Sequence, residues 1–433
     1  MTKKYLFQGL LSFFIFAISL NSTFAQSAAK PFVYGDMLPD APELAARGEY
    51  AVGVQTLDLI HENQLDILNY GKGGDSLYNR PLKIEVWYPA IAVATDLISY
   101  DEVMGQNGSP TRPIVPFTFL GRATRNAKPI TSAGSFPLVI VSHGYTGSRY
   151  LMTYLTENLA SKGYVVVAID HTEATFRDAA GFQSTLLNRS LDDLFVLNEI
   201  ARISKQSDSF LNGVVDTDNS AIIGYSMGGY GAINVVGAGY SPQASQLFGS
   251  MTSGSKALEK RTIGNPEFQA SIDPRIKVVV AFAPWGMQRG VWNAEGLAGI
   301  KIPSLFIAGS KDDISGYEDG TKAIYEGAVN SERFLLTYID ARHNTAPNPP
   351  PAAALEAGRP IDEYLRYADS VWDMRRINNI NQHFVTAFLG IHLKGKEDYK
   401  SYLYLSDEAK KKVWPGFKPR TSIGLELDYQ SAK

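Results

Sequence analysis

No cysteine occurs among the 433 residues of this chain. Its absence excludes a disulfide framework and the lipid attachment that bacterial lipoproteins receive on a cysteine. A cysteine nucleophile is excluded as well. The fold must therefore be held together by its hydrophobic core. A chain with 45% hydrophobic and 20% charged residues is long enough to form one large domain or two smaller ones.

An excess of charge of either sign is also missing. Lys and Arg together number 41, against 44 Asp and Glu, and the formal net charge is −3. The basic residues are scattered along the chain, so nothing favours general attraction to nucleic acid or to an anionic membrane. We predict no nucleic-acid partner.

The N-terminus carries one apolar run, at residues 5–20, that is typical of export. Lys3 and Lys4 precede it, and Thr23 and Ala25 place small residues where a signal peptidase requires them. This pattern predicts a signal peptide over residues 1–25. A membrane anchor is the alternative, but the run is short for a bilayer span. We expect a periplasmic or secreted protein without stable membrane insertion after cleavage.

The remaining chain is predicted to have an extended segment over 26–48 and a single α/β domain over 49–433. Two early strands precede a loop-rich stretch, and strands then alternate with helices, which is typical of a mostly parallel sheet covered on both faces. Predicted strands are 51–59, 82–89, 138–141, 165–169, 221–223, 278–282, 304–308 and 334–339. Predicted helices are 149–161, 191–203, the segment after residue 226, 321–328 and a closing helix over 364–393. Two excursions, 238–273 and 345–360, are either cleft borders or plain surface loops.

A glycine-flanked serine lies between a predicted strand and a predicted helix. The sequence Gly-Tyr-Ser-Met-Gly-Gly occupies 224–229, with Ser226 at its centre. A turn this tight requires strained backbone angles at the serine and leaves no room for larger neighbours, and it is typical of a nucleophile elbow. Ser226 is therefore the candidate nucleophile.

A serine hydroxyl needs a base to take its proton and a carboxylate to orient that base. Asp312 follows the predicted strand 304–308, and His343 follows the last predicted strand. Because the carboxyl ends of parallel strands meet at one edge of a sheet, we expect both to lie near Ser226. The sequence therefore predicts a Ser226–Asp312–His343 triad, with Asp312 favoured over Asp313.

Two backbone N–H groups are the candidate donors for the oxyanion of the reaction. One belongs to Met227, directly after the nucleophile and at a helix N-terminus. The other belongs to Tyr145, in the loop after strand 138–141 that reads Ser-His-Gly-Tyr over 142–145. We expect His143 to support this loop, whereas His171 either lines the cleft or is structural.

Four segments together resemble the α/β-hydrolase superfamily: the Ser-His-Gly-Tyr-Thr-Gly-Ser loop at 142–148, 159–166, 168–171 and the elbow at 224–229. The chain is similar in particular to bacterial platelet-activating-factor acetylhydrolase-like and dienelactone-hydrolase-like esterases. This resemblance implies an α/β-hydrolase fold with a mostly parallel central sheet, and a serine carboxylic ester hydrolase without cofactor or metal. Dienelactone hydrolases proper use a cysteine nucleophile, which this chain lacks.

A second resemblance is to bacterial cutinases and polyester hydrolases. It is carried by Gly-Tyr-Thr at 144–146, by the elbow and by Pro284-Trp285 after the next strand, although Tyr225 replaces the histidine of their elbow. Trp285 is the candidate substrate-binding residue, either as an apolar wall or as a core residue. We expect small or short-acyl ester substrates, because the long excursion 238–273 follows the nucleophile helix and could roof the site, with Trp285 then bounding a closed acyl pocket. A cutinase-like polyester hydrolase or a serine peptidase on the same triad is the alternative.

Overall fold

The computed structural model describes residues 31–72, 76–92 and 97–433. The chain divides into two units, residues 1–32 and residues 33–433, and the second unit carries all the elements described below. The predicted signal peptide lies outside the described residues. Residues 33–48 are largely without regular structure, as expected, and contain one 3₁₀ turn at Glu43–Ala45.

The strands form a ten-stranded sheet and a separate two-stranded sheet. Apolar runs such as Phe136–Ser142 and Ser304–Gly309 are buried along their whole length, because a central parallel strand is covered on both faces. The strands in the described part of the chain are β1 (Ala51–Leu65), β2 (Leu77–Ala90), β3 (Ile98–Met104), β4 (Val115–Gly121), β5 (Thr124–Arg125), β6 (Phe136–Ser142), β7 (Val165–Asp170), β8 (Val215–Tyr225), β9 (Ile276–Phe282), β10 (Ser304–Gly309), β11 (Arg333–Tyr338) and β12 (Leu425–Gln430).

The large sheet has the strand order β12-β11-β10-β9-β8-β6-β7-β2-β1-β5. The six strands from β11 to β7 run parallel to their neighbours, whereas β1, β2 and β12 pair antiparallel at the two sides. Strands β3 and β4 form the antiparallel pair of the small sheet. The predicted mostly parallel sheet is thus confirmed.

Helices cover both faces of the sheet and occur in its connections. The α-helices of the described residues are α1 (Thr153–Ser161), α2 (Phe182–Ile203), α3 (Met227–Val235), α4 (Pro242–Met251), α5 (Pro266–Ala270), α6 (Ala294–Leu297), α7 (Lys322–Gly327), α8 (Ile361–Leu365), α9 (Met374–Lys394), α10 (Lys400–Leu403) and α11 (Asp407–Lys410). A short π-helical turn, Tyr317–Thr321, precedes α7.

Two hydrophobic cores lie on opposite faces of the sheet. Val139 and Val141 of β6 belong to the core under α1 and α9. Leu138 and Ile140, which alternate with them, belong to the core under α2 and α3. Since successive side chains of a strand point to opposite faces, one continuous apolar strand contributes to both cores.

Three regions differ from the sequence-based prediction. The closing helix begins at Met374 rather than at 364, because Asp369 accepts hydrogen bonds from the backbone N–H groups of Val371 and Trp372 and forms a turn, and Asp373 caps the helix. The stretch 104–135, predicted to be loop-rich, contains β4 and β5. The last strand of the sheet is β12, beyond the predicted closing helix, and its exposed alternate residues gave it no continuous apolar run.

The first excursion is residues 238–273. The second excursion is longer than the predicted 345–360, because the closing helix α9 begins only at Met374, and it therefore covers residues 345–373. The first contains α4, α5 and a 3₁₀ turn at Ala257–Arg261. The second contains a 3₁₀ turn at Ala352–Leu355 and helix α8. None of the helices in the described residues is both long enough and apolar enough for a bilayer span.

Candidate active site

Ser226 lies in the tight turn between β8 and α3, as predicted. Its backbone has φ 52° and ψ −112°, a left-handed conformation that costs a residue with a side chain on the order of 1–3 kcal/mol. The flanking glycines are required by the close approach of the chain. A Cβ at Gly228 would lie 1.9 Å from the carbonyl oxygen of Ser142, and one at Gly224 would lie 2.2 Å from that of Gly228. The turn therefore presents the serine hydroxyl above the end of the sheet.

The structure brings Ser226, His343 and Asp312 into one hydrogen-bonded row. Nε2 of His343 lies 3.0 Å from Oγ of Ser226. Nδ1 of His343 lies 2.9 Å from Oδ2 and 3.0 Å from Oδ1 of Asp312. Asp312 and His343 are 7% and 9% exposed, so that solvent competes little with these contacts. The row has the distances that transfer of a proton from Ser226 to His343 requires.

The acid and the base lie in loops that cross closely after β10 and β11. A Cβ at Gly309, the last residue of β10, would lie 2.2 Å from the carbonyl oxygen of Arg342. Only glycine lets the loop that carries His343 pass so near the loop that carries Asp312. The backbone N–H groups of Ile314 and Ser315 both donate to Oδ1 of Asp312 at 2.9 Å. These two donors fix the orientation of the carboxylate.

Asp313, the alternative acid, points elsewhere. Its carboxylate accepts hydrogen bonds from the guanidinium of Arg342 on the exposed side of the loop. Of the two neighbouring carboxylates, it is Asp312 that contacts His343.

The predicted oxyanion donors flank the serine. Met227 is the first residue of α3, so its N–H group lies at the positive end of the helix dipole. Gly144 packs against the elbow, where its Cβ would meet the ring of Tyr225 at 3.1 Å and Cβ of Ser226 at 3.3 Å. Within the described residues, the backbone N–H groups of Tyr145 and Met227 donate to no protein acceptor. Both donors are therefore available to a ligand.

A buried polar network lies under the Tyr145 loop. Arg80 binds the carboxylate of Asp192 through Nε and Nη2, each at 2.9 Å, and Nδ1 of His171 lies 3.0 Å from the same carboxylate. Nε2 of His171 lies 2.8 Å from the hydroxyl of Ser142, at the end of β6. Arg189 donates to the carbonyl oxygen of His143 at 2.7 Å. The network thus holds the strand end and the loop that carry Tyr145.

The charge states in this network follow from burial and from Arg80. Burial, reinforced by the charge of Arg189, lowers the pKa of His171 to about 3 and leaves the ring neutral. Burial would raise the pKa of Asp192, but the guanidinium of Arg80 outweighs it and holds that pKa below its usual range. A neutral His171 facing a carboxylate carries its proton on Nδ1, so Nε2 accepts a hydrogen bond from Ser142. His171 is therefore structural and does not line the cleft.

A cleft of about 400 Å³ opens directly in front of Ser226 and His343. Its walls come from the Tyr145 loop, from Asp313 and Ile314, and from the second excursion. No residue of the first excursion lies in the wall, so the roof expected from residues 238–273 is not found over the site. The lining residues are Arg112, Gly144, Tyr145, Thr146, Leu151, Phe176, Tyr225, Ser226, Asp313, Ile314, Arg342, His343, Asn344, Pro347, Asp362, Leu365, Arg366 and Ala368. Of the two excursions, the second borders the cleft.

Trp285 lies behind the nucleophile and outside the wall of this cleft. Its backbone N–H donates to the carbonyl oxygen of Ser226 at 3.1 Å. Its half-buried ring packs edge-on against Phe182 with the ring centres 5.3 Å apart, and the ring of Tyr145 also packs edge-on against Phe182 at 5.4 Å. These three rings form a row, the Tyr145–Phe182–Trp285 row, whose Tyr145 end reaches the cleft.

Several residues of the site were not singled out from the sequence. Asn344 binds the second excursion through its amide group, and Arg112 and Arg366 bring positive charge into the cleft. Asn344 directly follows His343, and that position was the available signal for it. Arg112 and Arg366 lie in stretches with no regular spacing relative to the triad, and the sequence offered no signal for them. In the described part of the chain, no cluster of three or more His, Asp or Glu side chains is arranged to hold a metal ion.

Comparison with known protein families gives a match to part of the chain. The model of a PET hydrolase-like family, named PETase, matches residues 121–245, which include the Tyr145 loop and Ser226. Cutinase 2 of Thermobifida cellulosilytica is 24% identical over 216 residues, which are 50% of this chain and 63% of the cutinase. The similarity to cutinases expected from the sequence is thus confirmed.

Other relatives extend the comparison. Bis(hydroxyethyl) terephthalate hydrolase of Streptomyces coelicolor is 31% identical over 215 residues, 49% of this chain and 52% of that protein. The chain thus spans about half to two thirds of the length of these curated relatives. Ferulic acid esterase of Streptomyces cinnamoneus superimposes with a TM-score of 0.54 at 18% identity, covering 90% of this chain and 100% of the other, and shares the fold. The order of the sheet, the strand–turn–helix elbow and this superposition show that the chain has the α/β-hydrolase fold.

Proposed function

We propose that this protein is a serine carboxylic ester hydrolase. The observation that carries the proposal is the row from Ser226 through His343 to Asp312, with contacts of 3.0 Å and 2.9 Å, at the floor of an open cleft. The ester hydrolases among its relatives support the same reaction class.

Acylation begins at Ser226. Nε2 of His343 accepts the hydroxyl proton while Oγ attacks the ester carbonyl, and Asp312 stabilises the resulting imidazolium. The negative charge that develops on the carbonyl oxygen is bound by the N–H groups of Tyr145 and Met227. His343 then gives the proton to the leaving alcohol, and an acyl-enzyme on Ser226 remains.

Deacylation repeats these steps with water. His343 accepts a proton from the water molecule that attacks the acyl carbonyl, and the same two N–H groups bind the oxyanion. His343 returns the proton to Oγ of Ser226 as the carboxylic acid departs.

The preferred substrates are small or short-acyl esters. The second excursion and the Tyr145 loop stand on either side of Ser226 and limit the cleft to about 400 Å³. The ring of Tyr145, supported from behind by Phe182, supplies an apolar surface for part of the substrate. Because each added methylene must fit a finite volume, hydrolysis should decline beyond medium acyl chains.

Polyester hydrolysis is the second candidate, and the match to the PET hydrolase-like family and the cutinase relatives favours it. A polymer chain requires a shallow groove that is open at both ends. In this protein the second excursion borders the cleft, and we therefore do not expect such an open groove. A serine peptidase on the same triad remains the third alternative.

One set of assays separates these functions. A fluorophosphonate probe should label Ser226, and p-nitrophenyl esters should be hydrolysed with a rate that falls from acetate and butyrate toward long chains. Peptide anilides should remain intact. Comparable release of soluble products from a polyester film would favour the cutinase-like function instead, and an unlabelled, inactive protein would refute the hydrolase proposal.

The enzyme is proposed to act outside the cytoplasm, in the periplasm or in the medium. Support comes from the charged start, the apolar run and the small residues of positions 1–25. N-terminal sequencing of the protein from its native host should find the chain starting at Gln26.

A further inference from the structure

The charged side chains of the cleft differ in whether they have partners. Arg342 is paired with Asp313, and Arg112 is paired with Glu363, whose carboxylate also accepts the backbone N–H of Gly105. Arg366 differs from both. Within the described residues no carboxylate lies within salt-bridge distance of its guanidinium.

Arg366 is held in the cleft by the residues beside the triad. It directly follows α8, where the side-chain amide of Asn344 donates to the carbonyl oxygen of Leu365 and, at 3.0 Å, to that of Ala368. The hydroxyl of Tyr225, the residue before the nucleophile, donates to Oδ1 of Asn344 at 3.0 Å. The backbone that carries Arg366 is therefore tied to the residues next to both Ser226 and His343.

The guanidinium of Arg366 lies between an aromatic ring and the loop that carries Tyr145. Its central carbon is 6.0 Å from the ring centre of Phe176, and Nη1 donates to the hydroxyl of Thr146 at 3.4 Å. Thr146 immediately follows Tyr145, and both line the cleft. A guanidinium has five N–H donors, and a single long hydrogen bond leaves most of them without a protein acceptor.

This environment disfavours an isolated positive charge. Burial lowers the pKa of Arg366 and repulsion from Arg112 acts in the same direction, whereas the more distant carboxylate of Glu363, which is paired with Arg112, opposes them only in part. Asp362, which lies four residues earlier and is exposed, is outside salt-bridge distance. A planar cation in this position matches the geometry of a carboxylate, to which it can donate two parallel hydrogen bonds.

Resting on the ester hydrolase function proposed above, we propose that Arg366 binds a free carboxylate of the substrate. The preferred substrates are then esters that carry an acidic group away from the reacting carbonyl, such as half-esters of dicarboxylic acids. Arg366 would determine specificity without taking part in the chemistry at Ser226.

The test compares acidic and neutral esters that are otherwise matched. Monomethyl and dimethyl terephthalate place the carboxylate on the acyl side, and 4-acetoxybenzoate and its methyl ester place it on the alcohol side. Arg366→Gln should lower kcat/KM for the acidic member of at least one pair by about 10- to 100-fold, and for its neutral partner by less than about threefold. Arg366→Lys should recover part of the loss, because it keeps the charge but not the planar fork.

Arg359→Gln is the matched control, since Arg359 belongs to the same excursion but pairs with Glu356 outside the cleft wall. It should leave both members of each pair unchanged. Labelling of Ser226 by a fluorophosphonate verifies that Arg366→Gln is folded. Equal losses on acidic and neutral esters, or no loss on either, would overturn the role of Arg366 while leaving the hydrolase intact. A wild-type protein that hydrolyses none of the four esters and does not react with the probe would refute the hydrolase function itself, whereas hydrolysis of the neutral esters without any preference for the acidic ones would overturn only the role of Arg366.

Discussion

The two excursions look alike in the sequence but occupy different places around the nucleophile. Both interrupt the alternation of strands and helices, and both contain short helices. The first excursion packs behind α3, where Tyr240 stacks on Tyr230 with ring centres 4.8 Å apart. The second borders the cleft through Pro347, Asp362, Leu365, Arg366 and Ala368. Composition therefore does not decide which excursion can influence a substrate.

The difference lies in two asparagines that anchor the excursions. Asn234 of α3 donates to the carbonyl oxygen of Ala238 at 2.9 Å and accepts from Nε of Arg261 at 2.8 Å, and both partners belong to the first excursion. Asn344 binds the second excursion and Tyr225 in the same way. An anchor beside the triad makes an excursion part of the site, whereas an anchor at the far end of α3 makes it part of the scaffold.

Replacing the nucleophile should have the largest effect on ester turnover, and the effects of the other variants are compared with it. Ser226→Ala removes the attacking oxygen, so ester turnover should fall by a factor of about 10⁴ or more. Probe labelling should disappear, while the melting temperature stays close to that of the wild type. Labelling of another serine in the variant, found by peptide mass spectrometry, would assign the reacting centre elsewhere.

The two neighbouring carboxylates should differ almost as strongly. Asp312→Asn removes the charge that orients His343 and should lower kcat by about 10³- to 10⁴-fold. Asp313→Asn breaks only an exposed pair with Arg342 and should change kcat by less than about threefold. Steady-state kinetics on p-nitrophenyl butyrate would measure both, and the opposite ranking would assign the orienting role to Asp313.

A buried acid on β3 lies beside Tyr367 of the second excursion, and its effect on stability depends on pH. Glu102 of β3 is 6% exposed, its Oε1 accepts the backbone N–H of Val103, and its Oε2 has no partner in the described residues. Burial, reinforced by the charge of Asp170, raises its pKa from 4.5 to about 7. Folding therefore favours the protonated acid, and its contribution to the free energy of unfolding is lost as the pH rises from about 4.5 to about 7.

Glu102→Gln keeps a neutral side chain at every pH. Relative to the wild type, its free energy of unfolding should be higher at pH 8 than at pH 5 by about 2–3 kcal/mol, measured by denaturant titration. Glu356→Gln, at an exposed position of the second excursion, should show no such dependence on pH. A constant difference between wild type and Glu102→Gln from pH 5 to pH 8 would contradict the raised pKa.

Replacing each of the two anchoring asparagines tests whether the second excursion belongs to the site and the first to the scaffold. These replacements should have the smallest effects on activity and stability. Asn344→Ala should lower kcat/KM about tenfold through loosening of the cleft wall, with little change in stability. Asn234→Ala leaves Arg261 buried without this acceptor, so the free energy of unfolding should fall by about 1–3 kcal/mol while kcat/KM is unchanged. If the folded Asn234→Ala variant lost as much activity as Asn344→Ala, the division into site and scaffold would be wrong.

Some parts of the structure were predictable because they follow from local constraints. Strand β6 could be recognised from its continuous apolar residues, and Ser226 from the glycines that the tight turn requires. Asp312 and His343 could be placed because the carboxyl ends of parallel strands share one edge. Strand β12 was missed since only alternate residues are buried, so that its pattern resembles that of the exposed C-terminal region.

The buried network under the Tyr145 loop was also beyond prediction. Arg80 lies on β2 and Asp192 on α2, 112 residues apart, and their bidentate pair exists only because β2 and α2 meet beside β7. The role of His171 depended on the same contact. Its neighbours in the sequence favour neither a ligand nor a structural residue, whereas Asp192 holds its Nδ1 and leaves it buried.

The central parallel strands, the elbow and the placement of Ser226, Asp312 and His343 at strand ends followed from the sequence itself, because they depend on local apolar patterning and on glycines that no other residue can replace. Tertiary structure alone decided which excursion borders the cleft and which arginine there lacks a partner. Such choices depend on contacts between segments far apart in the chain, such as Asn344 with Ala368 and Arg366 with Thr146. The residue pattern of a segment indicates which side chains it can bury, whereas the packing of the whole chain determines which other segments it contacts.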